Sequence, residues 1–395
     1  MKIKYKFTYR QYRGLSLIEI LISLAIGSLL MVGLVSSFQT SSEAQKELEK
    51  SGILIENGRY AVNIIADDLK LAGFYGYYFD LGDPLTTLSD PCEIADLNAI
   101  QTALAMPIQG YLNGYTAGAT TMSCDDKGLF SAANVSATSD ILVIRRVDTG
   151  NVLGWDDINS VATNESPVAN EIYLQSNTRE VDVQLGNASR TVNLDAVSGG
   201  DNSSDTADAS NPNNDDTIFR FPYLENTTRM AEIRKLRVHV YFVAPCSIGS
   251  GTNGVCTSDD DDIPTLKRLE LKSVSGATTM ELVPLVEGVE YFKVQYGLDT
   301  LPADEDAVTG QPGDSMPDTY TTLPSTASDW ADVVSVRVFI LARATDATQG
   351  YTDSRTYNLA GVTVDPPSDV EDHRRQVFTT EVRPMNLAGR REIPE

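Results

Sequence analysis

The feature that most narrows what this chain can become is the run from Leu15 to Val35. It is 21 residues long and apolar apart from small residues and a single acid, Glu19. At about 1.5 Å per residue, a helix of that length spans roughly 30 Å, the thickness of a bilayer's hydrocarbon core. A carboxylate inside such a run costs about 3 kcal/mol unless it finds a partner, which makes Glu19 a candidate functional residue. Upstream stand Lys2, Lys4, Lys6, Arg10 and Arg13 with no acid among them. A flank of that kind stays on the cytoplasmic side. In a secretory signal peptide the apolar core precedes the cleavage site and is discarded. Here the only plausible processing point precedes the core, so the core would be retained.

The order basic leader, Gly14, Leu15-Ser16-Leu17-Ile18, Glu19 and an unbroken apolar helix closely resembles the type IV prepilin signature. The resemblance implies that a prepilin peptidase in the membrane cuts after Gly14 and methylates the new N-terminus at Leu15, where the family usually carries Phe. It also implies a fibre in which such helices pack together. Glu19 would then lie in a low-dielectric core, and the α-amine of a neighbouring subunit's Leu15 is a partner that would offset its desolvation and set axial register. The competing reading is an ordinary membrane anchor with an incidental Glu.

The 395 residues are 42% hydrophobic and 22% charged, enough for one large or two ordinary domains with a real core. The net charge of −24 would become more negative still on loss of residues 1–14, which hold five cations and no acid. So acidic a surface argues against nucleic acid or anionic headgroups as partners. The four cysteines, Cys92, Cys124, Cys246 and Cys256, all follow the apolar run. With the basic flank in the cytoplasm they face an oxidising compartment, and disulfides are expected. Of three connectivities, the local pairs Cys92–Cys124 and Cys246–Cys256 are favoured. Metal binding is the rival, without a Cys-x-x-Cys spacing and with only two histidines in the chain.

Residues 36–72 contain no proline and repeat apolar positions at Phe38, Leu48, Ile55, Ala61, Ile64, Ile65, Leu69 and Leu71. That stripe predicts an amphipathic continuation of the helix, packed on the body, with Gly52 and Gly58 as points of bending. The aromatic cluster from Gly73 to Phe79 ends the helix and reads as core packing. Alternating or β-branched runs predict strands at 141–147, 171–175, 180–185, 217–221, 233–244, 267–271, 289–296, 333–342 and 376–383, with those at 289–296 and 333–342 completing one central sheet. Residues 199–216, rich in Asp, and 300–329, with four prolines, read as long exposed loops.

The body carries a second resemblance. Leu285-Val286-Glu287-Gly288-Val289-Glu290-Tyr291-Phe292, Gln295-Tyr296-Gly297, Trp330 with Val334–Val338, and His373–Arg383 look like the C-terminal half of PilW-type minor pilins. Glu56–Ala61 and Asp67–Phe74 add to it. The likeness covers the first 80 residues and patches of 280–385.

No nucleophile elbow, zinc-protease helix or phosphate loop occurs, so neither an enzyme nor a cofactor is expected. His239 shares a strand face with Arg237 and Tyr241 and reads as structural; His373 reads as a capping or salt-bridging residue. Asp259–Asp262 lacks the spacing of a calcium loop and reads as a solvated turn. The expected fold is α+β, type IV pilin-like. It comprises a removable leader at 1–14, a membrane or fibre-core helix at 15–35, its amphipathic extension at 36–72 and a periplasmic body at 73–395. The function this implies is a minor pilin of the tip or priming complex that starts polymerisation, held in the inner membrane before assembly with the major and other minor pilins. A pseudopilin of a type II secretion system and a pilus-tip adhesin are the alternatives.

Overall fold

The computed structural model describes residues 14, 16–78, 84–112, 122–124, 129, 134–153, 168–177, 181–186, 232–300 and 315–389. Two compact units divide the chain, Met1–Gly52 and Ile53–Glu395. Helix α1, Leu17–Lys70, runs through 54 residues without a proline to interrupt it.

In the first unit the helix is apolar on every side up to Val35, and its large side chains are exposed. Phe38 and Leu48, taken from the sequence as the start of a packed stripe, are exposed as well. The stripe is broken there because Gln39–Glu47 offers only Ala44 between them. Packing begins at Leu54 rather than at residue 36. From there Leu54, Gly58, Ala61, Val62, Ile65, Ala66 and Leu69 are buried, the three-and-four spacing of one helix face.

In the second unit, seven strands form one antiparallel sheet: β1 (Ile108–Tyr111), β2 (Ile141–Leu153), β3 (Ile172–Ser176), β4 (Val181–Leu185), β5 (Ile233–Ala244), β6 (Thr265–Val274) and β7 (Ala277–Glu287). β5 is central. It pairs with β2 along one edge, and with β3 and then β6 along the other. A second antiparallel sheet holds β8 (Val289–Leu298), β9 (Thr319–Thr321), β10 (Val333–Arg343) and β13 (Arg375–Val382) in the order β13-β10-β8-β9. The hairpin of β11 (Tyr357–Leu359) and β12 (Val362–Val364), the short helices α2 (Leu97–Ala103) and α3 (Met385–Ala388), and 3-10 turns at Thr252–Gly254 and Ser328–Asp332 complete the described elements.

The expectation of one central sheet is therefore corrected to two. The chain leaves the first sheet at Gly288, whose φ of +78° suits glycine. A Cβ there would lie 2.4 Å from the Arg343 carbonyl oxygen. β7 was not foreseen. It carries Pro284, which is tolerated because β7 pairs only with β6 and Pro284 sits at a register shift in that pairing. The strand expected at 217–221 and the acidic loop at 199–216 lie outside the described residues.

Among the described residues, three clusters of buried side chains stand out. The largest joins Leu54–Leu69 of α1 to one face of each sheet, including Tyr241 and Val243 of β5 and Val336, Val338 and Ile340 of β10. The second covers the opposite face of the seven-stranded sheet with all four cysteines, Tyr75 and α2. The third places the β11–β12 hairpin on Tyr291 and Leu341 of the four-stranded sheet. Alternation along β5 sends Leu236, Val238, Val240 and Phe242 to the second cluster, and so leaves Arg237, His239 and Tyr241 on the side that carries α1.

Candidate functional site

The candidate site is the amino end of α1. Gly14 is exposed, and a Cβ built on it meets nothing within 4 Å. Leu15, the expected methylation position, and residues 1–13 lie outside the described residues. Glu19 falls in the first turn, its N–H donating to the Ser16 carbonyl at 3.0 Å. An acid suits this position because the first-turn N–H groups carry partial positive charge. Among the described residues the Glu19 carboxylate has no ion-pair partner.

Two hydroxyls inside the apolar run, those of Ser23 and Ser28, are satisfied by the helix itself. Ser23 Oγ donates to the Glu19 carbonyl at 2.6 Å, and Ser28 Oγ to the Ala25 carbonyl at 2.9 Å. Their polar atoms thus need no water, as a hydrocarbon or fibre interior requires. The segment is long and apolar enough to cross a membrane, and its apolar stretch buries nothing within the protein. Among the described residues its one charged side chain up to Val35, Glu19, has no partner.

A second acid lies on the packed face of α1. Asp68 is buried; its Oδ1 accepts from Arg146 Nε at 2.5 Å, and its Oδ2 faces His239 Nδ1 at 2.6 Å and accepts from Tyr241 Oη at 2.8 Å. Burial pushes the Asp68 carboxyl up, but the charges and hydrogen bonds of His239 and Arg146 outweigh it and hold the group well below the usual carboxylate range. Burial, with Asp68 adding to it, raises the Tyr241 phenol well above its ordinary value. The sequence had placed Arg237, His239 and Tyr241 on one face but had not joined them to the helix. The signal was present as an acid intruding on the stripe between Ile65 and Leu69.

The conspicuous body residues also prove structural. Glu290 on β8 grips Arg375 of β13 at 2.6 and 3.1 Å, with both side chains buried, and Arg375 donates to the Val370 carbonyl at 2.9 Å. Tyr296 and Trp330 meet edge to face at 4.7 Å between ring centroids. The sulfur pairs are Cys92–Cys124 and Cys246–Cys256, the local connectivity favoured from spacing. Asp260 accepts from the Ser250 N–H and from the N–H and hydroxyl of Thr257, and the Ser250 bond leads in pushing its carboxyl down to about 2. Asp261 accepts from Ser247 and from the Ile263 N–H. Both acids therefore staple the Cys246–Cys256 loop. Among the described residues no group of three or more His, Cys, Asp or Glu is placed to hold a metal ion.

Comparison with known proteins decides what this geometry serves. Residues 240–386 match the family model for type IV pilus-assembly protein W, and residues 9–35 match the prokaryotic N-terminal methylation motif. Together these two matches support a type IV minor pilin of the PilW type. Among solved structures, a type IV-like pilin, TTHA1219 from Thermus thermophilus, aligns at 17% identity over 38% of this chain and 79% of that one, with a TM-score of 0.19. No curated protein matches. The methylation motif makes this PilW-type pilin a substrate for prepilin processing and a subunit that assembles with other pilins, with α1 as its membrane anchor. The PilW match runs from the carboxyl half of β5 to α3, and so includes the Glu290–Arg375 pair and the Tyr296–Trp330 contact. Its role is structural.

Proposed function

We propose that this minor pilin is a subunit of the complex that primes the pilus and stays at its tip. In this reading, cleavage between Gly14 and Leu15 frees the Leu15 amine, which is then methylated. The processed chain waits in the inner membrane with its body in the periplasm. On assembly the apolar helix leaves the lipid for the fibre core, where Glu19 pairs with the Leu15 amine of a neighbouring subunit.

The observation that carries the tip position is the size of the compact unit Ile53–Glu395. A body of that length has a radius of gyration of about 20 Å, whereas packed helices lie about 8–10 Å apart. A body so large fits the end of a helical bundle better than every position along it. The acid left without a partner at the head of the apolar run supports entry into the fibre as such.

The test is an epitope tag in an exposed turn of the body, read by immunogold on sheared pili. Label confined to one end of each fibre, together with loss of pili in a deletion strain, is the expected result. Label along the shaft overturns the tip position. Normal piliation with a defect in protein secretion overturns the pilus reading in favour of a pseudopilin. Processing is checked separately: Gly14→Val should leave a precursor that mass spectrometry finds still carrying residues 1–14.

A further inference from the structure

The two disulfides differ in the charged group that lies closest to them. Cys92–Cys124 is flanked by a carboxylate: Asp90 accepts from the Cys92 N–H at 2.9 Å, and from the N–H and hydroxyl of Ser123 at 2.7 and 2.6 Å. Cys246–Cys256 closes the turn between β5 and β6, and Lys267 of β6 lies behind it. The lysine is 1% exposed, and its Nζ is 3.6 Å from both sulfurs. Among the described residues those sulfurs are its only hydrogen-bond acceptors. The nearest acids, Asp260 and Asp261, are already committed to the loop's own N–H and hydroxyl groups. The pair also borders a pocket of 260 Å³, lined by Pro245, Thr257, Ser258, Asp261 and Asp262, which gives a small thiol a way in.

The Lys267 ammonium touches only neutral sulfur, and burial, which the charges of Asp261 and Asp260 offset only in part, pushes it below its ordinary value. Opening the disulfide would supply a negative charge in direct contact with it. A thiolate beside a lysine is stabilised, leaves more readily, and raises the reduction potential of its pair. We propose that Cys246–Cys256 is a thiol–disulfide exchange site, opened by a dithiol reductant in preference to Cys92–Cys124. The reductant's thiolate attacks one sulfur, and the S–S electron pair departs on the other as a thiolate facing Lys267. The reductant's second thiol then displaces the mixed disulfide. The pair gains two electrons and two protons, and the reductant becomes a disulfide.

The order of opening is diagnostic, because chain closure alone predicts the reverse. The cysteines are 10 residues apart in this pair and 32 in the other, and the shorter loop recloses more easily. The test equilibrates the purified full chain in detergent with graded ratios of reduced to oxidised dithiothreitol. Free thiols are then alkylated and each cysteine's labelling is read by mass spectrometry. The expected result is that Cys246 and Cys256 label at a less reducing ratio than Cys92 and Cys124. Lys267→Met should lower the exchange equilibrium constant of that pair about tenfold, equivalent to about 30 mV, while Lys267→Arg retains it and Cys92–Cys124 is unmoved in both. If both pairs open together, or Cys92–Cys124 opens first, the proposal fails on the unaltered protein alone. An unchanged midpoint in Lys267→Met also overturns it.

Discussion

Helix α1 carries two acids on apolar ground, and they differ in where their partners are found. Asp68 is met within the chain, by Arg146, His239 and Tyr241 at 2.5 to 2.8 Å. Glu19 has hydroxyls and carbonyls around it that are already mutually satisfied, and among the described residues no cation reaches it. The residues around them differ in the same way. Near Asp68 the stripe from Leu54 to Leu69 is buried on two sheets, whereas near Glu19 every large apolar side chain is exposed. A buried charge is tolerated when paired and costly when its partner is removed. Asp68 therefore holds the folded body together, whereas the pairing proposed for Glu19 lies with another chain.

Glu19→Val is expected to have the largest effect. It would leave the neighbour's amine unpaired in the fibre core, at about 3–5 kcal/mol. Incorporation should fall about a hundredfold or more in quantitative immunoblots of sheared pili, while membrane insertion and the melting of the body stay unchanged. Normal incorporation would dissolve the contrast between the two acids.

Asp68→Ala should reverse the pattern. It leaves the partly buried Arg146 and the buried His239 without the carboxylate, a loss of about 3–5 kcal/mol in chemical denaturation of the body. Its pH dependence has a definite sign. Because the folded Asp68 carboxyl is held below its ordinary value of 3.8, its contribution is complete above that pH and is lost as pH falls from there through the lower folded value. The gap between native protein and Asp68→Ala should thus be constant near neutrality and narrow below about pH 4. A gap that widens with acid would show that the carboxylate is not the stabilising form.

What could be read in advance follows how local each determinant is. The helix declared itself through 54 residues without proline, and β5 through Leu236, Val238, Val240 and Phe242 in strict alternation. The disulfides were legible because each joins near neighbours. The split into two sheets was not, since it turns on the backbone of Gly288 against Arg343, more than fifty residues away. β7 hid behind Pro284 and a run of Thr, Met and Glu, although Ser275-Gly276, both at positive φ, marks the hairpin that leads into it. Lys267 gave no signal, because its meaning depends on two sulfurs that reach it only once β6 has paired with β5. At the candidate site, Gly14 and Glu19 were singled out by their resemblance to the prepilin signature, whereas the partners of Asp68 required knowledge of which strand face meets the helix.

The smallest expected effect tests why packing on α1 starts where it does. Gly58 reads from sequence as a weak point in the helix, yet a Cβ there would lie 2.0 to 2.5 Å from three atoms of the Phe378 ring on β13. Glycine at this position is thus a seat for an aromatic side chain rather than a bend. Helix propensity alone favours Gly58→Ala by about 1 kcal/mol, whereas forcing the ring aside costs about 1–3 kcal/mol. Overpacking should win, giving a net destabilisation at or below the upper end of that range in denaturant titrations. The double variant Gly58→Ala, Phe378→Leu separates the two effects, since a smaller side chain at 378 relieves the clash and lets the propensity gain show. A positive coupling between the two sites in that cycle is the expected result. Additivity would mean that the ring does not rest on Gly58, and that the boundary between the exposed and buried stretches of α1 is set by Leu54 and Ala61 alone.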